Sequence, residues 1–231
     1  MDFLLHSLGD ALRLIAAFDR DLLGIVATTL RVAVASTAIA ALLALPPALL
    51  IARREFPGKP LVLSLLRSAM AIPTVLIGLL VYAFIARNAP LGGMRLLFTP
   101  AAIVIGQVLL ILPLITALAH AALQQRAALV YEEARLLGAS PRAASWQVLV
   151  ESRLGVTTAV AAGFGRVISE VGIALMLGGN IRGSTRTITT AITLETSQGN
   201  FARAFALGLV LLALVVLIHL FLRLRNEARA A

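Results

Sequence analysis

Between Arg31 and Arg53 the chain runs VAVASTAIAALLALPPALLIA, twenty-one residues without a single charge. A helix needs ~20 predominantly apolar residues to cross the ~30 Å hydrocarbon layer of a bilayer. No water reaches that layer, so every backbone N–H and C=O of a crossing segment must be satisfied inside the protein. A run this long therefore predicts a membrane helix, and it is not alone. Similar runs cover 61–85, 101–122, 156–177 and 204–222, and the first extends over 22–52. The chain is expected to be all-α: a polytopic membrane protein of about five transmembrane helices, forming a single transmembrane domain over 1–231. Composition agrees, since 60% of residues are hydrophobic where soluble chains average about 45–50%.

Within the runs, small residues in the first allow close helix approach. Pro73 in the second predicts a kink stabilised by neighbouring helices. The turn RREFPGKP after the first run carries Pro57 and Gly58 as helix breakers. At the N-terminus, Phe3, Leu4, Leu8, Ala11, Leu12, Ile15 and Phe18 recur at helical spacing with His6, Asp10 and Arg13 between them. That pattern predicts an amphipathic helix over 1–20, either lying in the membrane interface or packed on the bundle edge. Its acidic start does not fit a cleavable signal.

The charge is lopsided: 20 Lys and Arg against 11 Asp and Glu give 20 − 11 = +9. The arginines are scattered among loops, without a basic tract or interleaved aromatics, which argues against a nucleic-acid partner. Arginine retained on the cytoplasmic side of a membrane explains the excess. With five crossings the loops sort into two sets, carrying ten and seven basic residues. The richer set contains RREFPGKP, the central loop and the C-terminal tail, so the expected topology has the N-terminus outside and the C-terminus in the cytoplasm.

The central polar region, 124–155, contains YEEARLLGAS, the most specific local signal in the chain. Val130, Ala134 and Leu137 share a face at i, i+4, i+7. Gly138 is a left-handed stop just beyond them. Ser140 is an N-cap and Pro141 suits a first helical turn. Trp146, Leu149 and Val150 are expected to form the apolar face of a second helix. Stop, cap and proline within four residues predict a rigid helix–glycine–helix elbow rather than a flexible linker.

EEARLLGAS resembles the cytoplasmic coupling signature of ABC importer permeases, E-A-A, three residues, G, nine residues, I-x-L-P. Glu132, Glu133 and Ala134 fall on the E-A-A positions, Gly138 on the glycine and Val148 on the isoleucine. Glu133 departs from alanine, and Val150 and Glu151 depart from Leu-Pro. The stretches ARREFPGK, IPTVLIGLLVY and ISEVGIALMLGGNIRGSTRTITTAI resemble permeases for molybdate, tungstate and related oxyanions. SEVG…GGNI.G.TRT.TTAI.LETS.GN is most similar to the tungstate type. The resemblance implies a type I ABC importer-like fold in the inner membrane. It implies a homodimer served by two ATPase subunits and by a periplasmic or extracellular substrate-binding protein. Glu132, Glu133, Ala134, Arg135, Gly138, Ala139, Ser140 and Pro141 would engage the ATPase. ATP and Mg would belong to that partner, leaving no cofactor, no metal and no catalytic residue on this chain.

Charged groups in or near the spans are the remaining candidates. Arg166 and Glu170, four apart in a run read as one helix, would share a face. They would either line the translocation pathway or hold the bundle as a structural ion pair. Asn180, Arg182, Ser184, Thr185 and Arg186 form an outer loop that would dock the binding protein, frame the outer mouth or meet a tetrahedral dianion directly. GGNIRGST has Ser184 where a phosphate loop requires lysine, which excludes nucleotide binding there. His6, His120 and His219 lie in separate segments and suggest no enzyme. Alternatives are a permease for molybdate, sulfate or another anion, and a secondary transporter, which would be expected to show half-repeats or intramembrane acids.

Overall fold

The computed structural model describes residues 20–227, apart from the side chains of 219 and 221–227. The expected amphipathic helix over 1–20 lies outside the described residues except for Arg20.

The described chain is helical, with no strand among its residues. In order it forms α1 (Arg20–Arg53), α2 (Lys59–Met70), α3 (Thr74–Ile85) and a 3-10 turn (Gly92–Met94). There follow α4 (Pro100–Leu123), α5 (Ala127–Leu136), α6 (Pro141–Glu151), α7 (Arg153–Ile168), α8 (Gly172–Gly178), α9 (Ile188–Ser197) and α10 (Phe201–Glu227). Three helices are long and apolar enough to cross a membrane: α1, α4, and α10 over Phe201–Ile218. The pairs α2–α3 and α7–α8 bring the number to five if each counts as one crossing.

Both pairs correct the expectation of continuous helices. The axes of α2 and α3 differ by 93°, and those of α7 and α8 by 60°. Pro73 accounts for the first, because it has no N–H to give the preceding turn and its ring disfavours helix at Ile72. The kink expected there is a full break. The second break has no proline and depends on contacts described below.

Two compact units can be distinguished, and helices α1 and α4 contribute residues to each. Among described residues, one comprises 20–35, 74–107 and 167–227. Its buried contacts include Ile25, Ile188, Ala191 and Leu207, and separately Val32, Ile103 and Ala174. Gly106 permits a close approach here: a Cβ at that position would lie 2.6 Å from Ile173 and 2.7 Å from Leu177. The other unit comprises Ser36–Pro73 and Val108–Arg166. Its core joins Ala48, Leu49 and Ala52 of α1 with Ala119 and Leu123 of α4, Ala127, Val148 and Ala159. Alanine dominates that cluster, and small side chains are what bring membrane helices near enough for dispersion contacts to add up.

Large apolar side chains also point outward. Leu42, Leu79, Leu212 and Leu217 are all exposed, and only 11% of the α10 window is buried. Water would penalise such faces heavily, whereas lipid tails do not.

Candidate functional site

The elbow is built from local rules that act in sequence. Helix α5 ends at Leu136, and Gly138 adopts φ 88°, a left-handed conformation open to glycine without Cβ strain. The Gly138 N–H donates to the Arg135 carbonyl at 3.1 Å and the Ala139 N–H to the Ala134 carbonyl at 3.0 Å. Together these form a Schellman stop, which satisfies carbonyls that the helix end would leave bare. Ser140 follows in extended conformation, its Oγ accepting from the Ala143 N–H at 3.2 Å, with Pro141 in the first turn of α6. Such a cap is worth ~1 kcal/mol. Across the outside of the bend, Arg135 Nη1 donates to the Ala139 carbonyl at 2.5 Å.

The inner side of the elbow rests on membrane helices. Ala127 and Val148 are fully buried in the cluster with α1, α4 and α7, and Val130, Tyr131 and Leu149 pack against it. Of the residues expected on the apolar face of α6, Leu149 packs inward and Val150 is half-buried, but Trp146 does not join them. Ala144 and Val148 are its buried residues, and Trp146 is 68% exposed. Leu137, expected on the packed face of α5, is 89% exposed beside Leu136 at 88%. Leu136 is the last residue of α5 and Leu137 its C-cap, so both stand where the chain begins to reverse.

Glu132, Glu133, Arg135, Gly138, Ser140 and Pro141 are exposed, while Ala134 and Ala139 are half-buried. Between α5 and α6 lies a groove of about 790 Å³ whose lining includes Leu129, Glu133, Leu137, Ala143, Gln147 and Glu151. Gln147 Nε2 donates to Glu151 Oε1 at 3.2 Å on its wall. Without a proline near its end, α6 continues through Glu151 before α7 begins at Arg153. Chemically, the elbow offers carboxylates, a groove and unusually exposed leucine and tryptophan on a rigid frame. Exposed apolar groups on a rigid frame are the chemistry that protein-docking surfaces use.

The break between α7 and α8 falls beside the intramembrane charges. Arg166 sits in the last turn of α7, whereas Glu170 lies between the helices. The two are therefore not carried on one continuous helix. Glu170, only 4% exposed, accepts from the Ile173 N–H at 3.3 Å and so stands at the start of α8. Its own carbonyl accepts from Thr189 Oγ1 at 2.8 Å. The Val167 carbonyl accepts from Gln107 Nε2 at 3.3 Å. These bonds satisfy backbone groups that a broken membrane helix exposes.

In the following loop, Thr185 is fully buried, accepting from the Ile181 N–H and donating to the Gly178 carbonyl. That is a structural pin. Asn180 Nδ2 donates to the Thr190 carbonyl at 3.3 Å and Arg186 Nη2 to the Asn180 carbonyl at 3.4 Å. Asn180 Oδ1 and Arg186 Nε are buried without hydrogen-bond partners. Ser184 and Arg182 are exposed. Arg182 pairs with Asp21 at 2.8 Å, and Asp21 also holds Arg203 at 2.5 Å. Arg203 reaches Glu195 at 3.4 Å, and Asn200 donates to Glu195 at 3.0 Å. Sequence reasoning missed this network because its members are separated by as many as 182 residues.

Residues 38–228 match the family described as the binding-protein-dependent transport system inner membrane component. The chain belongs to this family. The permease is 40% identical over 200 residues to a probable anion ABC transporter permease protein of Haloferax volcanii, covering 84% of this chain and 86% of that one. It is 35% identical over 212 residues to the tungstate uptake system permease protein TupB of Peptoclostridium acidaminophilum, covering 92% and 93%. With TupB of Campylobacter jejuni it shares 39% identity over 158 residues, 68% and 66% of the two chains. The permease is thus a multi-pass inner-membrane protein that works with an ATPase and a substrate-binding protein, and ATP is hydrolysed on the separate ATPase rather than on this chain.

Proposed function

We propose that the permease imports an oxyanion, tungstate in preference to molybdate or sulfate, and acts as a homodimer with two ATPase subunits. The elbow is the seat of the ATPase, and that subunit, not this chain, binds ATP and Mg. One observation carries this role: Leu136, Leu137 and Trp146 stand out from water-exposed helices whose bend is locked by a stop, a cap and a proline. An exposed apolar surface on so rigid a frame has little use without a partner. Glu132, Glu133, Ala134, Arg135, Gly138, Ala139, Ser140 and Pro141 form or present that surface.

The substrate reading draws on the two relatives named for tungstate uptake. In our reading the whole chain is one permease domain, its N-terminus outside and its C-terminus in the cytoplasm, which sets the elbow on the side where ATP is found. Glu170 is a structural cap on the broken span, and Arg166 braces the same region. Arg182, Ser184, Arg186 and Asn180 face the binding protein, over a loop that Thr185 holds in place.

The deciding experiment pairs co-purification with calorimetry. Permease solubilised in detergent should retain its ATPase, and Gly138→Pro should release it. The binding protein should take tungstate more tightly than molybdate, and sulfate weakest. Uptake that survives Gly138→Pro would remove the elbow from the mechanism, and tighter sulfate binding would overturn the substrate choice.

A further inference from the structure

The turn after α1, RREFPGKP, has no task in the transport cycle described so far, yet it is built as firmly as the elbow. Gly58 takes φ 89° and Pro60 occupies the first turn of α2. Lys59 Nζ reaches Glu55 Oε1 at 2.6 Å and donates to the Arg54 carbonyl at 3.2 Å. These contacts fix the end of α1, whose last turn carries Arg53.

The Arg53 guanidinium carbon lies 4.5 Å from the centroid of the Tyr131 ring. At that separation the negative face of the ring attracts a cation. Arg53 Nε is buried and has no hydrogen-bond partner, so the ring helps to offset the cost of burying that edge of the charge. Tyr131 directly precedes the exposed Glu132 and packs on the cluster of Ala48, Leu49, Ala52 and Val148. One side-chain pair thus fastens the first elbow helix to the end of a membrane span.

We propose that Arg53 and Tyr131 form the joint that carries elbow movement into α1, with Arg53 a positioning residue acting through the Tyr131 ring. When a partner displaces the elbow, Arg53 follows the ring, because losing it would strand a buried cationic edge with neither water nor acceptor. The proposal rests on the reading of the elbow as the ATPase seat.

The test uses the complete importer, permease with ATPase and binding protein, in proteoliposomes, and reads tungstate accumulated per ATP hydrolysed. Arg53→Gln and Tyr131→Leu should keep the ATPase bound and hydrolysing while that ratio falls at least fivefold. Arg53→Lys and Tyr131→Phe, which keep the cation and the ring, should stay within twofold of wild type. The double variant Arg53→Gln/Tyr131→Leu should be no worse than the weaker single, since both break one joint. Should Arg53→Gln not accumulate in the membrane, Tyr131→Leu against Tyr131→Phe reads the same contact. An unchanged ratio in Tyr131→Leu would overturn the proposal. So would ATPase loss in step with uptake, which would make the pair a structural brace, or equal damage from Tyr131→Phe. A wild-type permease that retains no ATPase overturns the parent reading and the joint with it. A coupled wild type with fully coupled variants overturns the joint alone.

Discussion

Two helix junctions in this permease are built by different means, and the contrast separates local from distant causes. At the elbow, residues 134–143 supply their own stop, cap and first-turn proline, with every bond spanning at most five residues. At the break between α7 and α8, the local Glu170 contact is joined by groups from far along the chain. Gln107 lies 60 residues from the carbonyl it serves, and Thr189 lies 19. The first junction is exposed and would keep its bend largely from backbone preference. The second is buried in an apolar setting and depends on tertiary neighbours to satisfy its backbone.

The largest expected effect is that of Gly138→Pro, which attacks the local junction directly. Proline cannot reach φ 88° and removes the N–H that closes the stop, a local cost of ~3 kcal/mol or more. Uptake should fall more than tenfold while the thermal midpoint in detergent changes little, because the elbow is not the membrane core. Next comes Glu170→Ala, which strips the cap from the distant junction. It should cost ~1–3 kcal/mol by leaving a buried N–H unpaired, seen as a lower thermal midpoint. Glu170→Gln should recover part of it, and an unshifted midpoint for Glu170→Ala would erase the contrast drawn here.

Two smaller perturbations sharpen the comparison. Thr189→Val removes one long-range donor and should cost ~1 kcal/mol, again lowering the global midpoint. Ser140→Ala should cost a similar ~1 kcal/mol, but only locally. Hydrogen exchange should quicken at the start of α6 with the global midpoint unchanged. If Ser140→Ala lowered the midpoint as far as Thr189→Val, the elbow would be part of the global fold.

What the sequence made legible follows the same division. Apolar run length located the three helices long enough to cross and both bent pairs, since the bilayer imposes that length directly. The elbow was readable because its determinants are adjacent. The face of α6 was readable only in part: Leu149 packs inward as its spacing suggests, but Trp146 is exposed and the fully buried residues are Ala144 and Val148. Small residues leave a weak periodic signal, yet a site crowded by α1 and α4 has room only for them. The second break was invisible because neither Ser169 nor Val171 is a strong breaker; the determining partners, Gln107 and Thr189, lie elsewhere. The Asp21–Arg182–Arg203 network escaped for the same reason.

The sparsely covered α10 has an effect beyond the protein itself. The helix runs from Phe201 to Glu227, long enough at 1.5 Å per residue to cross a ~30 Å hydrocarbon layer. Only 11% of its apolar window is buried, so packing holds its tilt weakly and the surrounding lipid helps to set it. The acyl-chain length of the host membrane therefore acts on this helix as a mechanical load on its tilt.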